Sequence, residues 1–205
     1  MANSAIKVIY FNLPGRAEAI RLLLTLAGKK FEDVRINLQQ WQEMKPTTPC
    51  GTIPIIEIDG KRFGQSRAIA SYLARELGFY GETNLDGLKI DQIAHIAEDF
   101  VLEYGNKYFF VQDPGKKAEG EKVLREQSAP KYLGFFEKFL EEEGTGFTVG
   151  SSLSLGDVVV FDVCTGFLKP LVEESLSKFR FVDTLVTKIG NNERIQGYMS
   201  KREAL

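Results

Sequence analysis

The spacing of apolar and polar positions changes several times over the first eighty residues. A short β-rich run at 6–11, IKVIYF, is broken by Leu13-Pro14-Gly15. From Arg16 onward, Ala17, Ile20, Leu23, Leu24 and Ala27 recur at helical spacing until Gly28 ends the run. Residues 31–36, FEDVRI, alternate with period two, as a half-buried strand does. An irregular stretch holding Trp41 follows. Residues 53–58 and 61–63 then flank Asp59-Gly60, the tight turn of a β-hairpin. Ser66 opens another helix, with Ile69, Ala70, Leu73 and Leu77 on one face and Gly78 as its stop.

Helical periods dominate the rest. One helix is expected from 88 to about 108, a charged one over 117–143, and shorter ones after Ser154, Phe179 and Asn192. The order β-α-β, then β-β-α, is that of a thioredoxin-like domain. The expected fold is therefore α/β plus all-α: a thioredoxin-like domain over 1–79, a polar linker over 80–86, and a helical bundle over 87–205. Ser154 and Asp157 stand three apart just before the apolar run VVVF, the spacing of a capping box that fixes where a buried helix starts. Both are read as structural.

Composition narrows the functional classes. The chain has 205 residues, 43% hydrophobic and 26% charged, which suits an ordinary globular protein that can bury a core without disulfides. A net charge of −2 lacks the basic excess of a phosphate-backbone binder, so nucleic acid is not an expected partner. Cys50, Cys164 and the single His95 offer no metal-ligand spacing, and no metal is expected. No signal peptide or 18-residue apolar run is present, and a reduced, cytoplasmic setting without a membrane is the expectation. The charge is uneven: residues 1–80 carry a net +4 and residues 81–205 a net −6. An anionic ligand therefore suits the first part, the plainer reading being a chance fluctuation of charge.

Candidate chemistry gathers in that first part. Pro54 precedes a strand, a position that suits a cis bond in a turn and leaves the backbone of Ile53 free to pair with an extended peptide. Gln65 and Ser66 stand at a helix start, where N–H groups and the dipole favour a carboxylate. Lys45 and Trp41 sit where side chains reach over a groove. Tyr10 ends the first strand, ahead of the turn into the first helix, and its phenol can donate to an anion there. Were that anion a thiolate, lowering its pKa from about 8.5 to about 6.5 takes roughly 2.7 kcal/mol. One charge-assisted hydrogen bond of about 1.5–3 kcal/mol with about 0.3–1 kcal/mol from the dipole is enough. Each residue also has a plainer reading: a turn proline, an N-cap serine, an exposed lysine, a core tryptophan, a core tyrosine.

Taken together, Tyr10 within VIYFNLPGRAEAIR, Trp41, Lys45, GTIPIIEIDG, QSRAIASYLAR and SLSLGDVVVFD resemble the cytosolic glutathione S-transferases over essentially the whole chain. The tyrosine and the YFN and QS-x-AI-x-x-YLA motifs resemble the sigma class, which includes many invertebrate enzymes and the glutathione-dependent prostaglandin D synthases. The resemblance implies a homodimer that conjugates glutathione to small hydrophobic electrophiles in detoxification, with glutathione as co-substrate and no cofactor. It implies that Tyr10 is the catalytic stabiliser of the thiolate, with Arg16 beside it. Ile53, in the loop with Gly51 and Thr52, would pair with the cysteinyl backbone. Trp41 and Lys45 would hold the glycine end, Gln65 and Ser66 the γ-glutamyl carboxylate, and Asp99 would reach glutathione in the partner subunit. Leu13, Pro14, Val101, Tyr104 and Leu205 are the expected walls of the electrophile pocket. Thr52 replaces a residue that is often Lys or Gln in the family, and Asn106 and Val159 stand where its prostaglandin synthases carry bulky aromatics. A glutathione-dependent isomerase or peroxidase, a carrier of hydrophobic ligands and a lens-crystallin-like structural protein are the alternatives on this scaffold.

Overall fold

The computed structural model describes residues 4–203, and the chain divides into two compact units, one running to Phe79 and joined by the segment from Gly190, the other Tyr80–Ile189. The first unit is built on strands β1 (Ile6–Phe11), β2 (Glu32–Ile36), β3 (Ile55–Ile58) and β4 (Lys61–Phe63), in the order β2-β1-β3-β4. β1 runs parallel to β2 and antiparallel to β3, while β3 and β4 form the hairpin across Asp59-Gly60. This mixed sheet is the thioredoxin-like arrangement expected from the element order. Period two divides its faces. Ile9 pairs with Ile55 and packs with Ile36, while Val8 pairs with Ile56 on the other face, where Ile56 lines a groove with Ala68, Ile69 and Tyr72 of α3 (Ser66–Leu77); α1 spans Glu18–Leu26.

The stretch read as irregular contains a helix. Asn37 caps α2 (Leu38–Met44): its side chain accepts from the Gln40 N–H at 2.9 Å, and the Gln40 side chain accepts from the Asn37 N–H at 2.9 Å. Trp41 and Met44 on this helix pack against the Ile9–Ile36–Ile55 cluster. The helix is amphipathic for only two turns, too short for its period to stand out in the sequence.

The second unit is helical, as expected. α4 (Asn84–Tyr104) starts inside the 80–86 stretch read as linker, because Thr83 and Asp86 cap it reciprocally. It continues as a π-helical turn over Gly105–Phe109. The expected 117–143 helix is α5 (Pro114–Val123), a π-helical turn at Leu124–Ser128, and α6 (Ala129–Glu143). Pro130 at the start of α6 has no N–H to donate, and its ring crowds the preceding turn, so the backbone widens just ahead of it. α7 (Leu155–Thr165), α8 (Lys169–Leu176) and α9 (Arg180–Gly190) complete the unit. α8, with Pro170 in its first turn, was not expected as a separate helix. The last helix, α10 (Glu193–Glu203), was grouped with the bundle from sequence but packs on α1: Arg194 donates to the Leu26 carbonyl at 2.7 Å. Among the described residues, no helix is long and apolar enough to cross a membrane.

Asp157 is fully buried at the start of α7. Its carboxylate accepts from the Ser154 N–H at 2.7 Å and the Ser154 hydroxyl at 2.8 Å, and from the Thr148 N–H at 2.6 Å. Burial pushes this carboxyl above the usual carboxylate range, against the pull of the Thr148 and Ser154 donors. The predicted box therefore also ties the preceding loop to the helix. Asp157→Ala strands two buried N–H groups at about 1–3 kcal/mol each, so urea unfolding of this variant is expected to show a loss of at least about 2 kcal/mol.

Candidate functional site

The site is assembled where β1 turns into α1. Tyr10 is buried, and its hydroxyl oxygen accepts a hydrogen bond from the Arg16 N–H at 3.3 Å. Arg16 lies in the 3-10 turn Gly15–Ala17 that leads into α1. Gly15 makes this approach feasible. It holds φ +49, and a Cβ there would stand 2.6 Å from Tyr10 Cε1, 2.6 Å from Leu13 Cδ1 and 2.8 Å from the Tyr10 hydroxyl. Leu13 is exposed and Pro14 half-buried on the same turn.

Beneath the turn lies an ion cluster that sequence reasoning missed. Arg21 and Glu18 are both fully buried on α1. The Arg21 guanidinium donates to Asp33 at 2.9 Å, to the carbonyls of Leu13 and Pro14 at 3.1 Å each, and to Glu18 at 3.3 Å. Its Cζ stands 5.8 Å from the centroid of the Tyr10 ring. The i, i+3 spacing of Glu18 and Arg21 inside an apolar run was the available signal: two opposite charges on a face that must be buried require each other.

The loop before β3 contributes backbone. The Ile53–Pro54 peptide is cis, as expected, with Pro54 buried and Ile53 packed against the Ile9–Ile36–Ile55 cluster. Among the described residues no hydrogen bond uses the Ile53 N–H or C=O. Gly51 holds φ +63, and Thr52 is exposed. This loop runs beside the start of α3, since a Cβ on Gly64 would meet the Cys50 Sγ at 3.4 Å. Cys50 is exposed and Cys164 buried.

α3 begins without a side-chain cap. Gln65 occupies the N-cap position with φ +70, a strained conformation for a residue with a side chain, and Ser66 is half-buried in the first turn. By contrast α2, α4 and α5 are capped by Asn37, Thr83 and Asp113. The first-turn N–H groups of α3 thus have no side-chain cap, and this helix start lies beside the Cys50–Ile53 loop, an arrangement that can take an anion. Trp41 lies half-buried on α2, edge-on to Phe11 with centroids 6.4 Å apart. Lys45 is exposed at the start of the next 3-10 turn.

The remaining candidates belong to the second unit. Asp99 is exposed on α4, with Val101 and Tyr104 half-buried further along it. Tyr104 sits in an aromatic group with Tyr108, Phe109 and Phe167 at 5.4–6.3 Å, and burial raises its phenol above the ordinary range. Leu205 lies outside the described residues.

Comparison with known proteins accounts for both units. The glutathione S-transferase N-terminal domain matches residues 6–75, and the glutathione S-transferase C-terminal domain matches residues 98–202. The chain belongs to the glutathione S-transferase family. It is 34% identical over 205 residues to glutathione S-transferase 3 of Caenorhabditis elegans, with 96% of each chain covered. Its fold is similar to a Nu-class glutathione S-transferase of Haemonchus contortus (TM-score 0.86, 32% identity, 98% of each chain). It is likewise similar to a monomeric glutathione S-transferase of the hookworm Necator americanus (TM-score 0.87, 28% identity, 97% of each chain).

Two glycines with similar backbone angles separate strain from crowding. Gly51→Ala, with open space around it, carries only the conformational term of about 1 kcal/mol or slightly more. Gly15→Ala adds the collision with Tyr10, and denaturant unfolding is expected to show the larger loss, about 2–4 kcal/mol.

Proposed function

We propose that this glutathione S-transferase is of the tyrosine type and adds the glutathione thiolate to small hydrophobic electrophiles in detoxification. The observation that carries this reading is the Tyr10 hydroxyl at the mouth of α1: its oxygen accepts from the Arg16 N–H, and its proton is the one it can give to a sulfur anion. That donation, with the positive end of the helix nearby, favours ionisation of the thiol. The thiolate then attacks the electrophile; the S–C bond forms as the leaving group departs with its electron pair.

The geometry of the first unit supports the placement of glutathione. The open backbone of Ile53 suits strand-like pairing with the cysteinyl part of glutathione, flanked by Gly51 and Thr52. The uncapped start of α3, with Gln65 and Ser66, suits the γ-glutamyl carboxylate, while Lys45 and Trp41 suit the glycine end. Leu13, Pro14, Val101, Tyr104 and Leu205 are proposed for the electrophile pocket. Glutathione serves as co-substrate, and the chemistry so written calls for no metal or redox cofactor. A cytoplasmic setting, where glutathione is reduced, suits it. Among family subgroups, the Tyr10 and α3 motifs favour the sigma class.

A homodimer, with Asp99 reaching the partner's glutathione, also belongs to this reading. The first unit carries a groove of about 490 Å³ lined by Ile56, Ile58, Phe63, Ala68, Ile69 and Tyr72. Phe63 is 49% and Tyr72 41% exposed in the single chain. The basic first part and acidic remainder favour seating this face against the helical unit of a second copy.

Conjugation of glutathione to a chloro-dinitrobenzene, measured across neutral pH, tests the chemistry. The wild type is expected to run well above background and Tyr10→Phe at least tenfold slower; equal rates would move thiolate activation to another residue, Arg16 first. Failure of the wild type to bind immobilised glutathione would overturn the reading. Sedimentation tests the assembly. A dimer that Phe63→Asp converts to folded monomer is expected, and a monomeric wild type refutes it.

A further inference from the structure

The last helix reaches the Tyr10 turn through an unbroken chain of polar contacts. On α10, Tyr198 donates to Glu18 Oε2 at 2.9 Å and Arg202 donates to Glu18 Oε1 at 2.8 Å. Both oxygens of this fully buried carboxylate are thus held from α10, and Oε2 also accepts from Arg21 at 3.3 Å. Arg21 in turn grips the carbonyls of Leu13 and Pro14, the two residues before Gly15 and Arg16, and the Arg16 N–H meets the Tyr10 hydroxyl. From β2, Arg35 adds a bond to the Leu13 carbonyl at 3.2 Å and pairs with Asp33 at 2.7 Å.

We propose that Tyr198 and Arg202 are positioning residues for Tyr10: through Glu18 and Arg21 they set the turn that presents the phenol to the glutathione sulfur. This inference rests on the tyrosine-type reading and deepens it. The charged and titratable groups facing the cluster are Glu18 and Arg21 from α1, Asp33 and Arg35 from β2, and Tyr198 and Arg202 from α10. Three guanidinium groups meet two carboxylates, a surplus of positive charge behind the Tyr10 ring. That surplus also favours an anion at the phenol.

The physical argument is one of competition. Glu18 can share Arg21 with the Leu13 and Pro14 carbonyls because Tyr198 and Arg202 satisfy much of its demand. Remove the Arg202 guanidinium, and one carboxylate oxygen is left buried without a partner. Arg21 is then the nearest cation available to it, and moving toward Glu18 loosens the two carbonyl bonds that fix the turn. Tyr198 remains a donor throughout the working range, since burial and the Glu18 carboxylate push its phenol well above the ordinary value.

The readout is the pKa of enzyme-bound glutathione, followed by the ultraviolet absorbance of the thiolate, alongside glutathione affinity and conjugation rate from acid to alkaline pH. In Arg202→Met the bound-thiol pKa is expected to rise by about half a unit to one unit, with the neutral-pH rate falling about three- to tenfold and recovering at alkaline pH. Affinity is expected to stay within about twofold. Arg202→Lys should regain at least half of the shift, and Tyr198→Phe, which removes one hydroxyl, should show a smaller shift in the same direction. If Arg202→Met does not fold, Tyr198→Phe decides. A rate lowered by one factor at every pH, with the thiol pKa unmoved, overturns the proposal as a merely structural effect. If Tyr10→Phe raises the thiol pKa while the Tyr198 and Arg202 variants track the wild type, this inference alone fails. If Tyr10→Phe leaves the thiol pKa unchanged, the tyrosine reading fails and this inference with it.

Discussion

A guanidinium taken wholly out of water is the constraint around which the first unit is organised. Burial of such an ion costs several kcal/mol even after relaxation, unless its donors are matched. Arg21 meets most of that demand with Asp33 from β2, Glu18 from its own helix and two carbonyls from the turn before α1, its Nη2 being left buried without a hydrogen bond. Glu18 in turn draws in α10. Segments distant in sequence are thereby required to be in one place for these ion pairs to form. The Tyr10 hydroxyl stands where it does because the turn above this cluster has little freedom, and because Gly15 leaves room for the ring. Apolar burial supplies most of the driving force for folding; the ions select which arrangement of the apolar elements is acceptable.

The second unit uses the same device with a carboxylate. Asp157 gathers donors from Ser154 and Thr148 at the entrance to α7, so a loop and a helix start are specified together. The network around Glu103 is similar: it accepts from the Ser128 hydroxyl at 2.7 Å and the Tyr132 hydroxyl at 3.1 Å, linking α4 to the π-helical turn and α6. In both units a buried polar group held by several hydrogen bonds fixes register more sharply than interchangeable apolar contacts can.

What could be read from the sequence was what depends on neighbours along the chain. The Asp59-Gly60 hairpin, the glycine stops of α1 and α3, the cis bond before Pro54 and the Ser154–Asp157 pair are decided within a few residues, and each was legible. α2 was missed although Asn37 and Gln40 spell its cap, because two turns give too little periodicity to outweigh an irregular composition. The π-helical turn before Pro130 shifts the helical phase by about one residue, which a single 3.6-residue period over 117–143 cannot describe. The attachment of α10 to α1 depends on residues some 180 positions apart, and no local pattern reports it. For the candidate site, residue types at motif positions were legible. The Glu18–Arg21 cluster that supports them was hidden inside a run read only for its leucines.

Gln65 places two demands on one position that different residues would meet best. Its backbone, at φ +70, suits a glycine, whereas the function proposed for the start of α3 calls for an amide side chain there. A chain shaped by stability alone would discard the side chain there and relax by about 1–3 kcal/mol. That free energy is forgone continuously, in every folded molecule, whether or not a ligand is bound. On the proposed reading, in which Gln65 holds the γ-glutamyl carboxylate, the position trades folding for binding, and a search for more thermostable variants would tend to erase it first.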